Sequence, residues 1–425
     1  MAEIQKPLLV FQGPVATRSG YGDHARDLVR SLIDMNKFDI VVISTRWGST
    51  PMTGLRNTEE DRQILNLIGK QVTRKPDVYI QLTVANEFEA KGTYNIGITA
   101  GVETTAAPIE FIHGCNKMDL IIVPSQFTKE VLQKTAYTEK DNQTGRVIAE
   151  HRIAKPIEVL FEGFNEKTFG ADAIPYITEL DQIKEDFVFL FAGHWLQGGL
   201  GHDRKDVGML IKTFCLAFAG QKNAPALVLK TSSAGFSVLD RESMIAKIKT
   251  LTEQFKISPS IYLLHGEFTE EEMNGVYHHP KVKAMVSFTH GEGFGRPLLE
   301  FSLTGKPVIA SNWSGHLDFL KDGAVLLDGK LEDVHESAQN QFLIKGSKWF
   351  YVNYNEALKK FKDIYTNYDK YKTPAYQLGK QNLQNFGLEK MTKLFDTILT
   401  NYVPPIKQFI PLNLPNFEIV EDDAG

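Results

Sequence analysis

The stretch AMVSFTHGEGFGRPLLEFSLTGKPVIAS, residues 284–311, reads as a buried strand, a glycine-rich loop, a helix and a second buried strand. AMVSFT is a short apolar run of the kind that sits inside a sheet. Glycines at 291, 293 and 295 follow, where backbone can come close to another group. Pro297 suits the first turn of a helix, Gly305 its end, and Pro307 the start of the next strand. Strand, helix and strand at this spacing predict parallel pairing with the helix laid over the sheet.

Working outward, the second half repeats the unit. FVFLFAG (187–193), ALVLK (226–230), SIYLLHG (260–266), AMVSFT (284–289), PVIAS (307–311) and a short AVLL (324–327) are strand candidates. DVGMLIKTFCLAFAG (206–220) and SMIAKIKTLTEQF carry helical periodicity. In the first half LLVF (8–11), DIVVIS (39–44), VYIQLT (78–83), YNIGIT (94–99) and LIIVPS (120–125) alternate with helical segments. One of these, YGDHARDLVRSLIDM, spaces Ala25, Leu28, Val29, Leu32 and Ile33 along one face. The polar, proline-interrupted GADAIPYITELDQIKED marks a boundary near 170–185. The expected division is residues 1–180, residues 181–385, a terminal helix 386–402 packing back on the first domain, and a proline-containing acidic tail 403–425. Within the tail, Ile406, Phe409, Ile410, Leu412 and Leu414 predict packing of 403–419 along the surface. Two facing α/β domains leave a cleft at the carboxyl ends of their strands, where ligands of open sheets bind.

With 425 residues, 42% hydrophobic and 23% charged, the chain is long enough for two cores. A net charge of −5 supplies no global field for nucleic acid or an anionic membrane. Cys115 and Cys215 lie in apolar segments and read as buried thiols, which predicts a reducing, cytoplasmic setting. The start MAEIQKPLLVFQGP, an apolar run between prolines, is not a signal peptide by pattern. No stretch has the ~20 apolar residues of a membrane span, and peripheral membrane contact stays open.

Two carboxylates flank the glycine loop: Glu292 within it and Glu300 a turn into the helix. Unpaired amides at the helix start can hold a phosphate, and carboxylates beside them are partners for sugar or ribose hydroxyls. On local physics alone the run is equally a glycine-rich turn with solvated glutamates. The whole segment, with NWSGHLDF after it, resembles the signature of the retaining nucleotide-sugar glycosyltransferases of the GT-B fold, the group 1 or family 4 type. The resemblance implies two facing Rossmann-like, doubly wound domains with an interdomain cleft. It implies that Glu292 contacts the transferred sugar near its anomeric carbon and that Glu300 binds the nucleotide ribose. Gly293, Phe294, Gly295 and Arg296 match the positions whose backbone meets the donor.

FAGHWLQGGLGHDRKDVGMLIKTF resembles the entry loop of the second domain in that family, where a basic pair neutralises the leaving diphosphate. Lys205 is the better match, and Arg204 or His194 supplies the second donor. His194 stands where an arginine is usual, and the loop to Lys205 is extended. Lys230, at the end of ALVLK, matches a lysine that lines the donor cleft in relatives. HGEFTEEEMNGVY resembles the segment whose backbone meets the base. There Thr269 and Glu272 form a capping box, which makes Glu270, Glu271 and Glu272 structural.

In the first half, GPVATRSGYGDHARDL resembles the family's glycine loop, so Gly20 and Gly22 are expected near the donor phosphates, and Arg18, Ser19 and Tyr21 in the cleft. NIGITAGVETTAAPIEFIHGCNKMDLIIVPS is also similar to the family, and Glu103 is expected to face the acceptor. His113 is a further acceptor-side candidate, although a lone histidine in a helix is more often a boundary residue. Glu162 precedes Gly163 where relatives commonly have a histidine.

The resemblance implies transfer of a sugar from a nucleoside-diphosphate sugar, such as a UDP-sugar, to a hydroxyl of a glycan, lipid or small molecule, with retained configuration. No cofactor and no metal is expected. Phosphorylase or epimerase chemistry on the same fold, a catalytically inactive sugar-nucleotide-binding module, and a DNA acceptor are the alternatives. The acidic balance gives the nucleic-acid acceptor no support.

Overall fold

The computed structural model describes residues 6–170, 174–233 and 235–405. The first sheet holds β1 (Leu8–Gly13), β2 (Asp39–Ser44), β3 (Val78–Leu82), β4 (Tyr94–Ile98) and β5 (Leu120–Val123). A hairpin of β6 (Tyr137–Lys140) and β7 (Val147–His151) intervenes before its last strand, β8 (Ile157–Val159). Pairing is parallel throughout, in the order β2-β1-β3-β4-β5-β8. The second sheet is β9 (Val188–Ala192), β10 (Ala226–Lys230), β11 (Ile261–Leu264), β12 (Val282–Ser287), β13 (Val308–Ser311) and β14 (Val325–Leu327), in the order β11-β10-β9-β12-β13-β14. Strand order reverses at β1 in one sheet and at β9 in the other. A crevice opens at such a reversal, because the helices after the flanking strands depart to opposite faces.

The helix Gly20–Met35 shows why the sequence folds this way. The Ser19 hydroxyl accepts from the Gly22 amide at its start, and Asn36 ends it in the left-handed region at φ 52°. Ala25, Leu28, Val29 and Leu32 are buried against Leu9, Phe11 and Ile80, and each of the larger ones contributes about 1.5–3 kcal/mol. Phe189, Phe214, Phe218 and Phe361 play the same part in the second domain. Cys115 and Cys215 are free and buried, in separate cores.

Two ribbons of strand were not apparent in the sequence: the β6–β7 hairpin, and β15 (Gly329–Asp333) with β16 (Lys348–Val352). The latter reaches the first domain, where the Thr105 amide donates to the Lys348 carbonyl at 2.8 Å and the Lys348 amide to the Thr105 hydroxyl at 2.9 Å. Phe164, Phe169, Ile177, Leu180 and Ile183, in the connecting segment, join the second-domain core. The chain crosses back at Gly387. Helix Leu388–Tyr402 buries Met391, Phe395, Ile398 and Leu399 in the first-domain core. The two crossings lie side by side: the Phe164 amide donates to the Phe386 carbonyl and the Leu388 amide to the Phe164 carbonyl, each at 3.1 Å. The expected packing of 403–419 falls, from residue 406 onward, outside the described residues.

Candidate active site

A cavity of about 740 Å³ lies between the carboxyl ends of the two sheets. Arg18 and Gly20 line it from the first domain; Gly193, His194, Arg204, Lys205, Lys230 and Glu300 line it from the second. Its basic side is built on the loop after β9. The Asp203 carboxylate accepts from the Val207 amide at 3.3 Å, and the Arg204 carbonyl accepts from the His290 amide at 2.8 Å. The loop is thus fixed to both the helix it precedes and the segment after β12.

Arg204 and Lys205 both turn to Glu292. Arg204 Nη1 lies 3.3 Å from one carboxylate oxygen and Lys205 Nζ bonds the other. Arg204 Nε also meets Glu103 of the first domain at 3.1 Å. Burial opposes ionisation of Glu292, but the Lys205 and Arg204 charges outweigh it and hold its carboxyl at about 2. Burial raises Glu103 above the usual carboxylate range, with Arg204 opposing. Burial lowers Lys205, against the pull of Glu292. Glu292 is therefore an anion between two cations. It is not part of the cavity wall but lies behind Arg204 and Lys205, which are, so the expected contact of Glu292 with the transferred sugar is not made from this wall.

On the opposite wall Glu300 takes Arg296 Nε on one oxygen at 2.9 Å and the Tyr277 hydroxyl on the other at 3.3 Å. Burial pushes it up to about 7. Lys230 donates to the Gly266 carbonyl at 2.8 Å and lies 4.8 Å from the Phe268 ring centre, and burial brings it down to about 8. His194, within 3.3 Å of the Ser232 hydroxyl, is lowered to about 4 by burial and by Lys205, Arg204 and Lys230. Arg18 donates to the Phe268 carbonyl at 3.3 Å across the cleft.

Several expected roles change. Gly293 does not make room for a ligand. A Cβ there would overlap the Ala100 carbonyl oxygen of the first domain, as one at Gly291 would overlap that of Glu103. These glycines let the two domains touch. Gly295 is needed for its φ of 98° at the helix start. Gly22 is pressed against Thr17, whereas Gly20 has open space beside it. The Tyr21 hydroxyl accepts from the Ala100 amide at 2.9 Å and its ring stacks on Trp47 at 3.8 Å, so Tyr21 is a strut outside the cavity wall. His113 is exposed and meets His151 of the β6–β7 hairpin at 3.4 Å, away from the cleft. The Phe294 side chain packs in the core 5.1 Å from Phe319. The amides of Gly293, Phe294 and Gly295 find no acceptor among the described residues.

The capping box of Thr269 and Glu272 is present, but Glu270 and Glu271 also line the cleft: Glu271 pairs with Arg56 of the first domain at 3.1 Å and Glu270 lies 3.5 Å from Arg296 of its own domain. Asp27 was not singled out by the sequence, because its partner Arg296 is 269 residues away. Its only signal is a carboxylate next to the apolar face that carries Ala25, Leu28 and Leu32.

No family model and no curated protein sequence matches the chain. Among solved structures, sucrose-phosphate synthase from Thermosynechococcus elongatus superposes with a TM-score of 0.60 at 13% identity, over 93% of this chain and 99% of that one. The Anabaena protein Alr3699/HepE in complex with UDP-glucose gives 0.58 at 12%, over 93% and 100%. An alpha,alpha-trehalose-phosphate synthase (UDP-forming) from Burkholderia vietnamiensis gives 0.59 at 11%, over 94% and 98%. The fold is GT-B. At these identities the likeness concerns architecture, and the chemistry rests on the site. Among the described residues there is no cluster of three metal-binding side chains, and no helix long and apolar enough to cross a membrane.

Proposed function

We propose that the protein is a retaining glycosyltransferase that moves a sugar from a nucleoside-diphosphate sugar to an acceptor hydroxyl without a metal. The observation that carries this reading is the pairing of Arg204 and Lys205, on the cavity wall, with the ionised Glu292 behind them. Two cations on the wall of a cavity can take the diphosphate. Glu300 lines the same cavity and is assigned in this reading to the ribose hydroxyls.

In the proposed step the bond from the anomeric carbon to the diphosphate oxygen breaks, and the electron pair leaves with the diphosphate. Negative charge then grows where Lys205 and Arg204 stand, so they stabilise the transition state more than the ground state. Glu292 acts from behind the wall, where it keeps the cationic pair in place. The acceptor oxygen bonds the same face of that carbon, and its proton passes to the departing phosphate oxygen. No enzyme nucleophile is required. Glu103, from the first domain and bonded to Arg204, is assigned in this reading to the acceptor side, although it does not line the cavity. The two buried thiols support a reducing, cytoplasmic setting.

The test is a panel of nucleotide sugars incubated with acceptor hydroxyls, reading release of the nucleoside diphosphate and the anomeric configuration of the product. Retention with release that disappears in Lys205→Ala and Glu300→Ala supports the reading. Unchanged turnover and donor affinity in both variants would sink it. Product formed from free phosphate, or a donor that is epimerised rather than transferred, would assign the fold to phosphorylase or epimerase chemistry instead.

A further inference from the structure

We propose that Asp27, on the first-domain helix, is a positioning residue for the donor: through Arg296 it fixes the Glu300 carboxylate that receives the ribose, so the nucleotide site is complete only when the domains are docked. This rests on the reading of Glu300 given above.

The contacts form one chain. Asp27 Oδ2 accepts from Arg296 Nη1 at 2.6 Å, and Arg296 Nε donates to Glu300 Oε1 at 2.9 Å. The side chains are 1% exposed at Asp27, 6% at Arg296 and 10% at Glu300, so water screens little of the pairing. Asp27 is pinned in turn by Arg30, at 3.1 Å, which reaches on to Asp61 at 2.9 Å. Glu270, 3.5 Å from Arg296, is a second carboxylate competing for the same guanidinium.

A planar guanidinium can serve two carboxylates at fixed angles, one through Nη1 and one through Nε. Asp27 therefore decides how Arg296 is turned, and Arg296 decides which edge of Glu300 remains for a ligand. With the Asp27 charge gone, Arg296 is left between Glu270 and Glu300 and is free to take up both Glu300 oxygens. Arg296 and Glu300 line the cavity and Asp27 does not, so Asp27 acts on the ligand through them.

The experiment is calorimetric titration of the full chain with UDP, GDP and ADP, each against its 2′-deoxy and 3′-deoxy forms. A ribose held by a charged acceptor predicts a preference of roughly tenfold or more for the nucleotide with both hydroxyls. In Glu300→Gln the preference is expected to vanish. In Asp27→Asn, of the same shape, it is expected to fall to below about threefold, although no atom of residue 27 lines the cavity. Arg296→Lys keeps the charge and loses the fork; it is expected to behave like Asp27→Asn and decides the matter if that variant does not fold. Full preference in Asp27→Asn or Arg296→Lys, with loss in Glu300→Gln, overturns the inference and leaves the ribose reading standing. Full preference in Glu300→Gln, or no binding of any nucleotide, overturns both.

Discussion

Glu162→Gln should flatten the response of stability to pH. Glu162 follows β8, is 8% exposed, and sits two residues before the crossing between domains at Phe164. Burial pushes its carboxyl up to about 8 from an ordinary 4.5; Arg296 opposes, and the nearby Asp27, Asp23 and Glu292 add to the rise. A raised carboxyl favours the neutral acid in the folded state. The folded chain then holds a proton that the unfolded chain has released, so this contribution is complete at low pH and is lost as pH climbs through 8. With those two values it is on the order of 4 kcal/mol at pH 5 and is nearly gone by pH 8. Glutamine fills the same space and does not titrate. Urea unfolding of both proteins at pH 5, 6, 7 and 8 gives the difference directly. The wild type should lose roughly 3–4 kcal/mol relative to the variant over this range. A difference that stays constant within about 1 kcal/mol from pH 5 to pH 8 refutes the reasoning, since it would mean that Glu162 is as well solvated folded as unfolded.

Lys205→Ala removes one of two cations from the proposed leaving group and should slow turnover by roughly 10²–10³, read as nucleoside diphosphate release under saturating donor. Gly293→Ala forces a methyl onto the Ala100 carbonyl and should cost about 1–3 kcal/mol in unfolding free energy, whereas Gly20→Ala, with open space around it, should leave stability within about 0.5 kcal/mol. His113→Ala, on the outer face of its helix, should leave turnover and acceptor KM as they are; a rise in acceptor KM would return the histidine to the acceptor site.

The sheets were legible in the sequence because their strands are buried on both faces. Such strands read as unbroken apolar runs: DIVVIS and ALVLK coincide with Asp39–Ser44 and Ala226–Lys230. The β6–β7 hairpin escaped because both strands are exposed or half-buried, and YTEK carries neither an apolar run nor a clear alternation. In the site, Arg204, Lys205 and Glu300 line one cavity, and Glu292 lies behind the first two rather than at the ligand. The glycines were recognised as places of close approach, yet the approaching group is the other domain. Sequence spacing gives a glycine's freedom and carries no information on what comes near it. The same limit hid Asp27, and it made Glu270 and Glu271 look like cap residues when their side chains also serve the cleft.

The paired crossings at Phe164 and Gly387 set the mechanics of the molecule. One covalent tether would let the second domain swing and twist in any direction. Two tethers stitched together by hydrogen bonds behave like the pin of a door, leaving one easy axis that runs through the pair. Opening the cleft then becomes a swing along a single path, and each closure returns Arg204 to Glu103 and Arg296 to Asp27 in the same register. Cutting the chain between Phe386 and Leu388 would keep both domains and their cores, yet it would unpin that axis.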